Sequence, residues 1–550
     1  MATALSRSIA RAALLRGRLA LVALVALAVA SAVAVPRSAR GDERDAGPLT
    51  EAEDGGALRD AAQPDAADGD DGDASSVARL APDGAAPDGA APIGPAPSPP
   101  QLPPPTPPAI VPPLAVPPPP GLGDKQRLRE DDYARKKEGG YFTGLPLANY
   151  DPTTLFGFGG RLYYYFDGER TDPRFAYTPY LHRLIAQVFF STAGAQDHLL
   201  DYDAPLFASS LYRVRATLEL EAANAWPYYG TGTSSLAPLS FPGAPGVSFA
   251  RASDYETAKS RVQPDGTAYT RYNQFILRRP TLQLGVERLF LGGRLRPFLG
   301  IGLAYADLHD YTGRDIDATD SGGNAVRAKE ATTLLAADCA AHRINGCNGG
   351  FDNVLRIALS YDTRDLEPDP NSGIYAELST EIATKALGSQ YDYLRTLLSI
   401  RGFYSPIPKL ADLVIAVRGL YEVQSASTPF FSQQILPFID DNHAGLGGLR
   451  TLRGYTQNRF VGPVIVLTNY ELRWTFTHVR VVHQDFGLML VPFLDIGRIF
   501  DRVAQTTFAG WKRTEGGGFR IAWNQATVIA ADLGFSDEDI GLYINFNHIF

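Results

Sequence analysis

Few residue groupings in this chain have the types and spacing that chemistry requires. Cys339 and Cys347 are separated by seven residues, and without a second pair they cannot supply a four-ligand zinc site. No Gly-x-Ser-x-Gly elbow and no His-Glu-x-x-His segment occurs, and the 8 histidines do not cluster at ligand spacing. His198 and Asp201 lie near a strand end, where a solvated histidine is the expected state. Asp68, Asp70, Asp71 and Asp73 crowd together like a calcium loop but lack the closing glutamate and flanking helices, so they read as a solvated acidic run. The expectation is a non-enzymatic protein with no metal and no cofactor. The chemistry left over is that of charge, and it depends on which elements carry the charged residues.

The 550 residues are 45% hydrophobic and 11% aromatic, which suits a large ordered region, but that average hides two regimes. Between Asp42 and Asp88 stand 14 Asp/Glu against Arg44, Arg59 and Arg79, and 16 of the 41 prolines fall between Pro92 and Pro120. With almost no aromatic side chains, residues 35–125 cannot bury enough apolar surface to offset ordering entropy, so a disordered acidic and then proline-rich linker is expected. A periplasmic partner of that linker is a further expectation. Ahead of it, Arg7, Arg11, Arg16 and Arg18 precede an apolar run from Leu19 to Ala30 and then Ala32-Val33-Ala34, the parts of a signal peptide over residues 1–34. Residues 89–550 are near neutral and offer no basic field for nucleic acid.

From Tyr141 to Phe550 the pattern alternates with period two. In β-strand geometry Tyr470, Leu472, Trp474 and Phe476 oppose Asn469, Glu471, Arg473 and Thr475, one apolar face against one polar face. A soluble β-sandwich alternates in the same way. Phe546 and the final Phe550 share the parity of Leu542 and Ile544, so the last strand is expected to run to the final residue. Export, alternation and an aromatic ending together indicate an all-β fold, a 16-stranded antiparallel transmembrane β-barrel over 141–550 in the bacterial outer membrane and in contact with its lipid. The three long connections, 225–267, 309–351 and 424–462, each follow an odd-numbered strand, which places them outside the cell. Cys339 and Cys347 then share one extracellular loop in an oxidising compartment, and one local disulfide is expected.

The run Gly447-Gly448-Leu449-Arg450-Thr451-Leu452-Arg453-Gly454-Tyr455, followed by Asn469-Tyr470-Glu471-Leu472-Arg473 and Phe493-Leu494-Asp495-Ile496-Gly497, resembles the signature of the bacterial surface antigen (BamA/TamA) superfamily. The resemblance covers about 141–550. It implies that the sixth extracellular loop, with Leu452, Arg453, Gly454 and Tyr455 at its motif, folds into the barrel lumen. A guanidinium drawn there needs carboxylates, and Asp495 and Glu471 lie on lumen-facing parity. The resemblance also makes Phe546 and Phe550 an insertion signal in the terminal strand. Family members that assemble or secrete proteins carry periplasmic POTRA modules, whereas the low-complexity segment here has no composition for them. The function implied is insertion or translocation of client outer-membrane or secreted proteins, or of lipid. A passive pore or a surface-exposed receptor barrel is the alternative.

Overall fold

The computed structural model describes residues 117–123, 127–128, 130–365, 369–407, 412–440, 442–481, 484–523, 527–546 and 548–550. The expected signal peptide and most of the expected linker lie outside the described residues.

Period-two alternation becomes a barrel of sixteen strands, each antiparallel to the next. They are β1 (Gly139–Asp151), β2 (Leu155–Gly168), β3 (His182–Ser191), β4 (Gln196–Ala204), β5 (Tyr212–Pro227), β6 (Gln274–Arg288), β7 (Leu295–His309) and β8 (Val354–Asp362). The second half is β9 (Gly373–Ala383), β10 (Tyr393–Tyr404), β11 (Asp412–Gln424), β12 (Val464–Val481), β13 (Gln484–Phe500), β14 (Lys512–Trp523), β15 (Thr527–Phe535) and β16 (Ile540–Phe546). On β12 the outward Tyr470, Leu472, Trp474 and Phe476 are exposed, while the inward Asn469, Glu471 and Arg473 are buried. Exposed apolar rings on a sheet face are costly in water and favourable in lipid, so this alternation is the transmembrane one.

The ladders differ in extent. β1 pairs with β2 along its whole length, from Gly139 opposite Gly168 to Asp151 opposite Leu155. The closing pair, β1 with β16, has a single register position, Tyr150 opposite Ile544. The three long loops, 228–273, 310–353 and 425–463, all lie at one end, the arrangement in which the opposite end is periplasmic.

At the periplasmic rim the chain packs before it enters β1. Leu122 and Tyr133 bury themselves against Phe175, Tyr177, Leu206 and Leu289, which belong to three different turns. The Lys136 ammonium donates to the carbonyls of Phe175 and Thr178, each at 2.8 Å. Residues 117–123, expected to belong to the linker, are thus part of this packed rim.

Two expectations need correction. The final strand stops at Phe546, and residues 548–550 turn into the lumen, where Ile549 and Phe550 are buried. Phe550 therefore does not share the outward face of Leu542, because it finds apolar cover inside. The segment expected as a strand from residue 268 begins at Gln274, since Thr267–Ala268 pairs instead with Ala325–Glu330.

That pairing belongs to a folded lobe built from the third loop (228–273) and the fourth (310–353). The lobe carries a three-stranded sheet, helices Ala252–Lys259 and Leu334–Ala340, and a disulfide between Cys339 and Cys347 with Cα atoms 5.8 Å apart. The third loop crosses the mouth. Gly232 donates to the Val461 carbonyl of the sixth loop, Thr233 donates to the Asp501 carboxylate, and Ala252 donates to the Glu538 carbonyl.

Candidate functional site

The sixth loop, 425–463, turns inward because its own sequence gives it an apolar face. Leu436, Phe438, Leu446, Leu452, Tyr455 and Phe460 pack against wall residues Leu397, Leu420, Ile465, Leu467 and Ile499. The lumen is an aqueous compartment, unlike the lipid outside, so burying such side chains contributes about 1.5–3 kcal/mol each. Within the loop, Leu446 bridges Phe460 and the Gly448 amide donates to the Tyr455 carbonyl, which makes a hairpin-like finger with residues 449–454 at its tip.

Arg453 sits at that tip with no solvent exposure. Its Nε donates to Asp495 Oδ2 at 2.8 Å and its Nη2 to Asp495 Oδ1 at 2.8 Å, a two-pronged match of planar groups. Its Nη1 donates to Glu471 Oε1 at 3.0 Å and to Asp532 Oδ2 at 2.9 Å. The guanidinium also lies 3.3 Å from the centre of the Phe493 ring. Burial opposes its charge, but Asp495 and then Glu471 and Asp532 more than offset this, and its pKa is held above the ordinary range.

The backbone beside it is equally constrained. Gly454 has φ +92°, and a Cβ there would stand 2.9 Å from the Gly534 carbonyl oxygen of β15. A Cβ on Gly534 would in turn meet the Arg453 carbonyl carbon at 2.9 Å. Two glycines thus let loop and wall touch backbone to backbone. The Gly454 amide donates to the Tyr543 hydroxyl at 2.9 Å, and the Tyr455 hydroxyl donates to Asp537. Leu452 is fully buried in the apolar cluster.

Around this pair stand charges that the sequence reading left out. Arg520 donates to Glu471 Oε1 at 2.6 Å and to Asp532 Oδ2 at 3.2 Å, and Arg473 Nε donates to Glu471 Oε2 at 2.9 Å. Asn469 Nδ2 donates to Asp495 at 2.7 Å and to the Thr451 carbonyl at 2.8 Å, while its oxygen accepts from Arg418. Arg473 and Arg520 were visible on the polar parity of their strands. The same count on β15 faces Asp532 inward without telling that it would join the cluster.

Of the other site residues read from sequence, Cys339 and Cys347 are bonded to each other. Phe546 ends β16, and Phe550 lies apart from it inside the lumen. No group of three or more His, Cys, Asp or Glu side chains suited to a metal occurs among the described residues.

Comparison with known proteins agrees with the motif reading. Residues 299–533 match the Omp85 superfamily domain, and residues 119–181 match a domain of unknown function (DUF5982) that takes in the rim segment, β1 and β2. The outer membrane protein assembly factor BamA of Nitratidesulfovibrio vulgaris is 23% identical over 168 residues, which is 28% of this chain and 19% of that relative. Among solved structures, BamA from Haemophilus ducreyi lacking POTRA domains 1–3 aligns at 12% identity with a TM-score of 0.43, over 75% of this chain and 70% of that one. CdiB from Escherichia coli aligns at 12% identity with a TM-score of 0.42, over 74% of this chain and 62% of that one.

Proposed function

We propose that this outer-membrane barrel, whose residues 299–533 match the Omp85 superfamily domain, inserts or translocates other proteins in the bacterial outer membrane, with lipid as a second class of cargo and no enzymatic step. The observation that carries this reading is the sixth loop, drawn into the lumen and fixed by Arg453 on Asp495, Glu471 and Asp532. A loop anchored inside the barrel gives the wall a rigid side, while the closing strands are joined at one register position. With one register position between β1 and β16 among the described residues, such a seam favours pairing with an incoming strand or disturbing nearby lipid. The clients in this reading are outer-membrane or secreted chains, and the proline-rich linker is the place for a periplasmic partner.

The alternative, a passive pore or receptor barrel, draws support from the polar luminal face of β3–β5, where Arg183, Asp201, Thr217 and Glu219 are only half-buried. The third loop across the mouth counts against a free solute path. Depleting the protein and profiling the outer-membrane proteome tests the two readings. A fall in several other barrels supports insertion, and unchanged levels favour the pore or receptor.

A further inference from the structure

Beneath the sixth loop lies a second luminal contact, made by the end of the chain and separate from the apolar finger. Past β16 the end of the chain lies in the lumen, where Phe550 packs against Phe403 of β10 and Val414 and Ala416 of β11, with Leu449 of the sixth loop beside them. The Phe550 ring faces two guanidiniums, Arg418 at 5.0 Å and Arg473 at 5.3 Å. Arg473 Nη2 also donates to the Phe550 oxygen at 3.1 Å. His548 sits between Arg520, in hydrogen-bond contact with its Nδ1, and Asp369 of the β8–β9 turn, 3.0 Å from its Nε2.

Every cation that holds this tail is tied to the finger above it. Arg473 and Arg520 both donate to Glu471, the carboxylate that also receives Arg453. Arg418 donates to the Arg450 carbonyl at the loop tip and to Asn469, which reaches Asp495. Even with the tail in place, Arg418 Nη1 and Arg473 Nη1 are buried without a hydrogen-bond partner among the described residues. Removing the ring and the oxygen would leave these cations less satisfied still, and they would compete for the acids that hold Arg453.

We propose that residues 548–550 form a latch for the sixth loop: docked under the finger, they hold the Arg453 cluster in place, and their withdrawal loosens it. The latch takes from the functional reading only that the sixth loop is the working part. Its test reads loop position on purified protein without any client, so its outcome is separate from whether insertion activity is found.

The experiment is hydrogen exchange on the full chain in detergent, comparing the amides of residues 448–455 in wild type, Phe550→Ala, Asp369→Asn and Phe508→Ala. Phe508 stands on the seventh loop, 99% exposed, and serves as the control. Loss of the ring and its cation contacts is expected to speed finger exchange about tenfold, with strand amides unchanged. Asp369→Asn is expected to give a smaller increase in the same amides, Phe550→Trp to restore protection, and Phe508→Ala to change nothing. Because Phe550→Ala can fail to assemble, Asp369→Asn, which leaves the tail sequence intact, decides in that case. Wild-type finger exchange in every assembled tail or Asp369 variant overturns the latch.

Discussion

The two walls of this lumen use the same side-chain chemistry and reach opposite states. Against β12–β15, Arg453 of the sixth loop and the wall residues Glu471 and Asp495 retain none of their side-chain surface. On β3 and β4, the Arg183–Asp201 pair is equally close, at 2.9 Å, yet retains 26% and 18%. The sixth loop makes the difference, because it covers the first wall with an apolar finger and leaves the second in contact with water. Exposed ion pairs contribute about 0–1 kcal/mol, whereas removing one member of a buried pair costs about 3–5 kcal/mol. An inward arginine is therefore structural on one wall and replaceable on the other.

The sharpest way to break this contrast is Arg453→Ala, which leaves Asp495, Glu471 and Asp532 facing one another with less positive charge. Loss of about 3–5 kcal/mol of loop anchoring is expected, read as protease cleavage within 445–460 on intact cells. Asp495→Ala should release the same loop, and the double variant should be little worse than either single, since the two act as one unit. Lysine at 453 should rescue only in part, because it lacks the planar fork that meets Asp495 twice. Full resistance in Arg453→Ala would place this wall with the wet one.

Next in size is the cover over the dry side. Phe430 and Phe431 of the sixth loop pack with Leu335, Cys339 and Ile344 of the fourth. Reducing the Cys339–Cys347 bond should lower the stability of that lobe by about 2–3 kcal/mol on chain-entropy grounds, read as earlier cleavage of the fourth loop. A third effect depends on pH. Glu330, in the lobe, is pushed up to about 7 by burial, against the opposing pull of the Arg271 amide, Lys259 and Arg271. Its folded form holds the proton more tightly than the unfolded chain, so its contribution is full below the ordinary glutamate range and is lost as pH rises through about 7. Lobe resistance to protease should fall from pH 5 to pH 8 in wild type and flatten in Glu330→Gln. The smallest effect is expected on the wet wall. Arg183 stays part-exposed in its pair with Asp201, and Arg183→Ala should change thermal stability by no more than about 1 kcal/mol.

Parity made the strand number and the facing of Asp495 and Glu471 readable, since one residue of slip would reverse every side chain. It could not say which inward charges become dry, because that depends on where a loop beginning at residue 425 comes to rest. Asp532 was missed for this reason. The final residues misled differently. Phe546 and Phe550 share parity, but parity has meaning only while the strand continues, and the chain leaves β16 at Phe546 to reach Arg418 and Arg473. The contents of the third and fourth loops were hidden as well, since Thr267–Ala268 of the third loop pairs with a hairpin of the fourth, Asp315–Thr319 with Ala325–Glu330, far away in sequence.

The most direct test of the central claim, that the anchored sixth loop serves protein insertion, is the folding rate of a urea-denatured outer-membrane barrel into lipid vesicles. The vesicles would carry no protein, the wild-type chain or its Arg453→Ala variant at equal density and confirmed assembly. The account predicts faster folding with wild type and a rate near that of empty vesicles with Arg453→Ala. Equal rates in all three would contradict it.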